Sequence, residues 1–164
     1  MSAPPFIDSL DFAKNGQQIS GEMLIADLSR LSDVLENSQG VLRYTVQGGL
    51  DKYGVPMLVL SLSGSCTLRC QRCLGALDYP VALETAVFLR SQAELDALEE
   101  CDDEAYDSIL AQVKLDIQDL LEEEVLLSLP LAPKHEVGAC QTTNRDDAQL
   151  DVKHPFAALA KLKT

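Results

Sequence analysis

Two runs of strict alternation dominate the chain. Leu58, Leu60, Leu62, Cys66 and Leu68 alternate with Val59, Ser61, Ser63, Ser65 and Thr67. Tyr79, Val81, Leu83, Thr85, Val87 and Leu89 alternate with Pro80, Ala82, Glu84, Ala86, Phe88 and Arg90. A period of two puts every second side chain on one face, so both runs predict strands with one side toward a core. Their short link predicts a hairpin, with Cys70-Gln71-Arg72-Cys73-Leu74 at its tip. Upstream, Ile19, Met23 and Ile25 predict a strand within Gln18 to Asp27, and Leu42, Tyr44, Val46 and Leu50 predict another. Gly48-Gly49 reads as a bulge or bend. Ile7 to Lys14 fits a short helix or turn, stopped by Asn15-Gly16. Leu28, Leu31, Val34 and Leu35 keep helical spacing behind a cap at Asp27 or Ser29.

After Arg90 the pattern changes. Ser91 and Glu94 have capping-box spacing and predict a helix over Gln92 to Glu100, with Glu99 to Glu104 a solvated acidic loop. Ile117, Leu120, Leu121, Val125 and Ser128 form the apolar stripe of a helix opened by Asp116 and closed by Pro130 and Pro133. Glu122-Glu123-Glu124 reads as its solvated face. Glu136 to Lys153 is polar and aperiodic, which predicts a flexible linker. His154 to Lys163 has Pro155 at a first helical position and a Phe156-Leu159-Leu162 stripe, the pattern of a small basic amphipathic helix. The expected fold is α+β: an antiparallel β-meander making a small sheet, a few short helices packed on it, and a flexible C-terminal tail. The expected divisions are a single domain over 1–135, a linker over 136–153 and a C-terminal helical element over 154–164.

Composition narrows the picture. Among 164 residues, 46% are hydrophobic but only 5% aromatic, with no Trp, so the core must be built from Leu, Val and Ala. No window approaches the roughly 18 apolar residues of a membrane span. The first residues lack a basic segment followed by an apolar run, so no export signal is expected, and the expected location is the cytoplasm. Thirteen basic against 26 acidic residues give a net charge of −13, which repels naked nucleic acid at long range and attracts basic partners. Five cysteines, an odd number, fit reduced thiols.

The cysteines carry the candidate chemistry. Two residues between Cys70 and Cys73 let both sulfurs turn toward one point, as in a zinc knuckle, and His135 with Cys140 is the other sulfur–imidazole pair. Together they make a Cys3His set, although the second pair falls in an aperiodic stretch. The plain alternative is a pair of reduced thiols holding a tight turn. Cys66, Cys70 and Cys73 also spell C-x-x-x-C-x-x-C, which resembles the cluster-binding motif of radical S-adenosylmethionine enzymes. Those enzymes need a barrel longer than this chain and usually carry an aromatic where Arg72 stands. A thiol–disulfide oxidoreductase would place its first cysteine at a helix N-terminus, not between strands. There is no phosphate-cradling glycine loop. The two histidines lack a serine–carboxylate pair, so no catalytic residues are assigned and an enzyme is not expected.

The order of motifs resembles the large ribosomal RNA subunit accumulation protein family (YceD-type). The resemblance is carried by Cys70-Gln71-Arg72-Cys73-Leu74 after a strand and by Leu115-Asp116-Ile117 leading into Leu120 to Leu127. Leu129-Pro130-Leu131-Ala132-Pro133-Lys134-His135 with Cys140 and the closing His154-Pro155-Phe156 to Lys163 complete it. His154 stands where that family tends to have Asn. The resemblance implies a bacterial cytoplasmic factor for synthesis, processing or stability of large-subunit (23S) ribosomal RNA, acting without catalysis. Its implied partners are a pre-50S particle, a ribosomal protein or the rRNA itself, with no membrane and no small-molecule substrate. For an acidic chain, a cationic ribosomal protein is the partner that uses the whole charge. A local patch of Arg69, Arg72, Lys153, Lys161 and Lys163 is the alternative, touching RNA directly. The Phe156-Leu159 stripe is a candidate docking surface.

Overall fold

The computed structural model describes residues 6–101 and 107–140. The chain enters through β1 (Phe6–Ile7) and α1 (Ser9–Lys14), where the Asp8 carboxylate caps the helix by accepting from the Asp11 amide. Next come β2 (Gln18–Leu24), β3 (Val41–Leu50), β4 (Pro56–Arg69) and β5 (Ala76–Arg90), an antiparallel meander with unbroken register. Then follow α2 (Gln92–Cys101), β6 (Ser108–Leu110), β7 (Leu115–Asp116) and α3 (Ile117–Ser128). Strand β6 lies parallel to the end of β5, so the five-stranded sheet, ordered β2-β3-β4-β5-β6, is mixed at one edge. β1 and β7 make a separate two-stranded pair.

The alternation explains which face is covered. Leu42, Tyr44 and Val46 of β3, Leu58, Leu60, Leu62, Cys66 and Leu68 of β4, and Val81, Val87 and Leu89 of β5 are buried in one cluster. Phe12 of α1 and Ile117, Leu120, Leu121 and Val125 of α3 close it. Each such side chain contributes about 1.5–3 kcal/mol when fully removed from water. The opposite face of β4, with Ser63 and Ser65, stays exposed.

Several sequence-based expectations are corrected. Leu28 to Leu35 is not an α-helix; it follows a 3-10 turn at Ile25–Asp27 and contains one at Leu31–Asp33, with Leu28 and Leu31 buried and Val34 exposed. Gly48-Gly49 is neither bulge nor bend, because both residues pair in register with Leu58 and Met57. Gly48 is required by close approach: a Cβ there would stand 2.4 Å from the Phe12 carbonyl oxygen of α1. Leu50, expected inside, is exposed. Helix α2 runs through Glu99 and Glu100 to Cys101 instead of ending in a loop there, and residues 102–106 lie outside the described residues.

The largest correction is Glu122. It is 2% exposed, not solvated. Its Oε1 accepts from the backbone amides of Arg30 (2.6 Å) and Leu31 (3.0 Å), and Oε2 accepts from Arg30 Nε at 3.2 Å. A helix side chain thus satisfies the first amides of the Leu31 turn, which no acceptor within the turn itself could reach.

Candidate metal centre

The link between β4 and β5 is Cys70 to Gly75. The Cys70 amide donates to the Gly75 carbonyl and the Leu74 amide to the Cys70 carbonyl, each at 2.9 Å, so the chain reverses tightly. Leu74 takes φ +61°, the left-handed region that a branched side chain rarely occupies. The turn leaves Cys70 fully buried and Cys73 half-buried, and the Arg72 amide donates to the Cys70 sulfur at 3.4 Å.

The second half arrives from far along the chain. Asp116 caps α3 through the Gln118 and Asp119 amides, and the helix ends at Ser128 before Pro130, where the chain turns back over the hairpin tip. The Gln71 amide donates to the Pro133 carbonyl at 2.8 Å, which lands this strap on the turn. His135 Nε2 lies 3.0 Å from the Ala76 carbonyl oxygen. A carbonyl only accepts, so Nε2 carries the proton and the Nδ1 lone pair is free to act as a ligand. A turn with Gly138 at φ +89°, closed by the Ala139 amide on the Glu136 carbonyl, then returns the chain to Cys140.

Four donor atoms meet as a result. Cys70 Sγ lies 3.9 Å from Cys140 Sγ, Cys73 Sγ 3.4 Å from His135 Nδ1, and Cys140 Sγ 3.8 Å from His135 Nδ1. Every pair among Cys70, Cys73, His135 and Cys140 is within 4.8 Å. Tetrahedral zinc, with Zn–S near 2.3 Å and Zn–N near 2.05 Å, spaces its ligands about 3.8 Å (S to S) and about 3.6 Å (S to N) apart. The donor set therefore matches zinc in chemistry and in size.

Electrostatics divide the thiols. Burial alone pushes the Cys70 thiol up, but the backbone amides of Cys73, His135 and Arg72 and the Cys73 thiol, acting on its sulfur, bring it down to about 5. Burial pushes Cys140 up, and the Cys73 and Cys70 sulfurs beside it add to that. Of these two thiols, Cys70 is the one favoured as a thiolate.

The remaining sequence-predicted residues fall differently. Cys66 packs in the hydrophobic core and burial pushes its thiol up; it is not one of the four converging donors, so the C-x-x-x-C-x-x-C spacing does not describe a site. Arg69 is held by Glu36, Nε to Oε2 at 2.6 Å, and is not a free cation. Arg72 is exposed and has no carboxylate partner among the described residues. Lys153, Phe156, Leu159, Lys161 and Lys163 lie outside the described residues. Among the described residues no helix is long and apolar enough to cross a membrane. Glu122 was missed because a helical wheel counts faces, and only the fold brings the Arg30 amide to it.

Comparison with known proteins adds one match. The family model described as Large ribosomal RNA subunit accumulation protein YceD covers residues 58–163, from the first arm of the hairpin through the closing motif. No solved structure matches the chain.

Proposed function

Because the chain belongs to the YceD family of large ribosomal RNA subunit accumulation proteins, we propose that it is a non-enzymatic ribosome-biogenesis factor. It supports synthesis, processing or stability of 23S ribosomal RNA by binding a ribosomal protein or a pre-50S particle in the cytoplasm. The observation that carries this reading is the match, across the hairpin tip and the strap, to a family described by rRNA accumulation and by no reaction. The net charge of −13 favours a cationic protein over naked RNA as the direct partner. In this scheme residues 1–135 form the body, 136–153 a linker whose first part reaches back to the tip, and 154–164 a second contact through Phe156, Leu159, Lys161 and Lys163.

A second reading has one observation in its favour. Exposed Arg72 sits within the Cys70–Cys73 turn, beside the four donors, as a zinc-knuckle contact to RNA would require. With Arg69 engaged by Glu36, such a tip offers few phosphate contacts, and each adds roughly one unit to the salt slope of binding. Tagged full-length protein, used to pull down large-subunit precursors with and without ribonuclease, separates the two. Recovery of a ribosomal protein that survives ribonuclease supports the first reading. Loss of all bound material supports the second, and recovery of no large-subunit component overturns both.

A further inference from the structure

Past Leu129, which packs against the core, the strap between α3 and Cys140 has little apolar material to hold it. Leu131 and Val137 are almost fully exposed, and Pro133, His135 and Cys140 are only half-buried. Among the described residues its hydrogen bonds to the body, apart from the sulfur contacts at the four donors, are the Gln71 amide on the Pro133 carbonyl and the His135 ring on the Ala76 carbonyl. Bonds of this kind, open to water, contribute little net stability, so they do not by themselves fix a strap that lacks a buried face. Yet the strap delivers His135 Nδ1 and Cys140 Sγ to within tetrahedral spacing of Cys70 and Cys73. Three sulfurs and an imidazole nitrogen crowded together are a poor core, being polar and mutually repulsive once a second thiol ionises.

We propose that Cys70, Cys73, His135 and Cys140 hold one structural Zn2+, and that this ion fastens the strap across the hairpin tip. Three sulfurs and one imidazole are soft ligands suited to zinc; calcium and magnesium take oxygen. Four protein donors close the coordination shell and leave no position for water or substrate, the arrangement of a structural site. Binding is ligand exchange without redox: zinc leaves its hydration shell, each sulfur still protonated gives its proton to solvent, and neutral His135 donates through Nδ1. The Ala76 carbonyl on Nε2 then orients the ring and strengthens it as a ligand. The ion also holds one wall of a neighbouring groove of about 460 Å³, where Leu129, Leu131 and Pro133 of the strap face Val34, Leu35 and Leu68. The inference rests on the geometry of the four donors and is the same whether the protein contacts RNA or protein.

The test uses the full-length chain purified under reducing conditions without chelator. Mass-spectrometric metal analysis should find close to one zinc per chain, and Cys73→Ser/Cys140→Ser should fall below about a tenth of that. Cobalt exchanged into the wild-type chain should give the absorption of a tetrahedral thiolate site, a readout that does not depend on whether the double variant folds. His135→Cys keeps four donors and should retain the metal. His135→Ala should weaken uptake by at least the roughly 10–100-fold that loss of an outer-shell partner costs. Stripping zinc from the wild type should speed hydrogen exchange at the Gln71 and Ala139 amides while the β3–β4 ladder stays protected. Negligible zinc with no cobalt spectrum overturns the proposal, as does zinc that persists in the folded double variant. Unchanged exchange after stripping overturns the fastening role.

Discussion

Removing the Glu122 carboxylate should be among the most damaging single changes in the protein. The side chain is 3% exposed, accepts two backbone amides on Oε1 and faces the Arg30 guanidinium on Oε2. Bonds to a charged acceptor are worth about 1.5–3 kcal/mol each, and amides left buried without a partner cost about 1–3 kcal/mol each. Arg30, 45% exposed, adds less, because solvent screens it. Glu122→Ala should therefore destabilise by about 3–5 kcal/mol, the usual cost of opening a buried charged pair. Glu122→Gln keeps one oxygen for the amides but turns an NH2 toward the Arg30 donor, so it should cost less than Ala, about 1–3 kcal/mol. Urea unfolding of the full-length chain measures both, with exposed Glu123→Ala as a control expected within about 0.5 kcal/mol of wild type. A double cycle with Arg30→Ala should return a coupling between about 0.5 and 3 kcal/mol. If Glu122→Ala unfolds within about 0.5 kcal/mol of wild type, the carboxylate does not hold the Leu31 turn and the reasoning fails.

The paired glycines make a contrast. Gly48→Ala drives a Cβ to 2.4 Å from the Phe12 carbonyl and 2.8 Å from Ala13 Cα, and should cost about 1–3 kcal/mol in thermal or urea unfolding. Gly49→Ala meets nothing within 4 Å and should be neutral or slightly stabilising by the same assay. Leu74→Gly relieves the positive φ of the tip at the expense of a freer unfolded chain, for a net gain of about 0.5–1 kcal/mol. No gain in unfolding midpoint would mean the turn is not strained. Burial, then Asp107 and Glu123, raise the Glu124 carboxyl above its ordinary 4.5. The fold therefore favours its protonated form: that stability is fully present below pH about 4.5 and is lost as pH rises through the raised value. Glu124→Gln should flatten stability against pH across that window, and an unchanged profile would contradict it.

How far the sequence could be read depended on whether a feature was local. Leu58 to Leu68 and Val81 to Leu89 announce themselves because each residue's neighbours two positions away share its face, and the hairpin and its Cys70–Leu74 tip followed directly. Asp116 and the Ser91–Glu94 pair were legible for the same reason, since a cap lies within three residues of its target. The four donors were recognisable as a set from residue chemistry, but their meeting was not. His135 and Cys140 belong to an aperiodic stretch, positioned by Pro133 on Gln71 and by the left-handed turn at Gly138. Glu122 was misread for the converse reason: its partners at Arg30 and Leu31 are some ninety positions away. Val34 and Leu35 kept helical spacing over no more than a single 3-10 turn at Leu31–Asp33, whose first amides are met by Glu122 from across the fold.

X-ray absorption at the zinc edge of the full-length protein tests the four-donor clasp most directly. The account predicts three sulfur ligands near 2.3 Å and one nitrogen near 2.0–2.1 Å. A first shell of oxygen and nitrogen without sulfur, or an iron–sulfur spectrum in place of zinc, would contradict it.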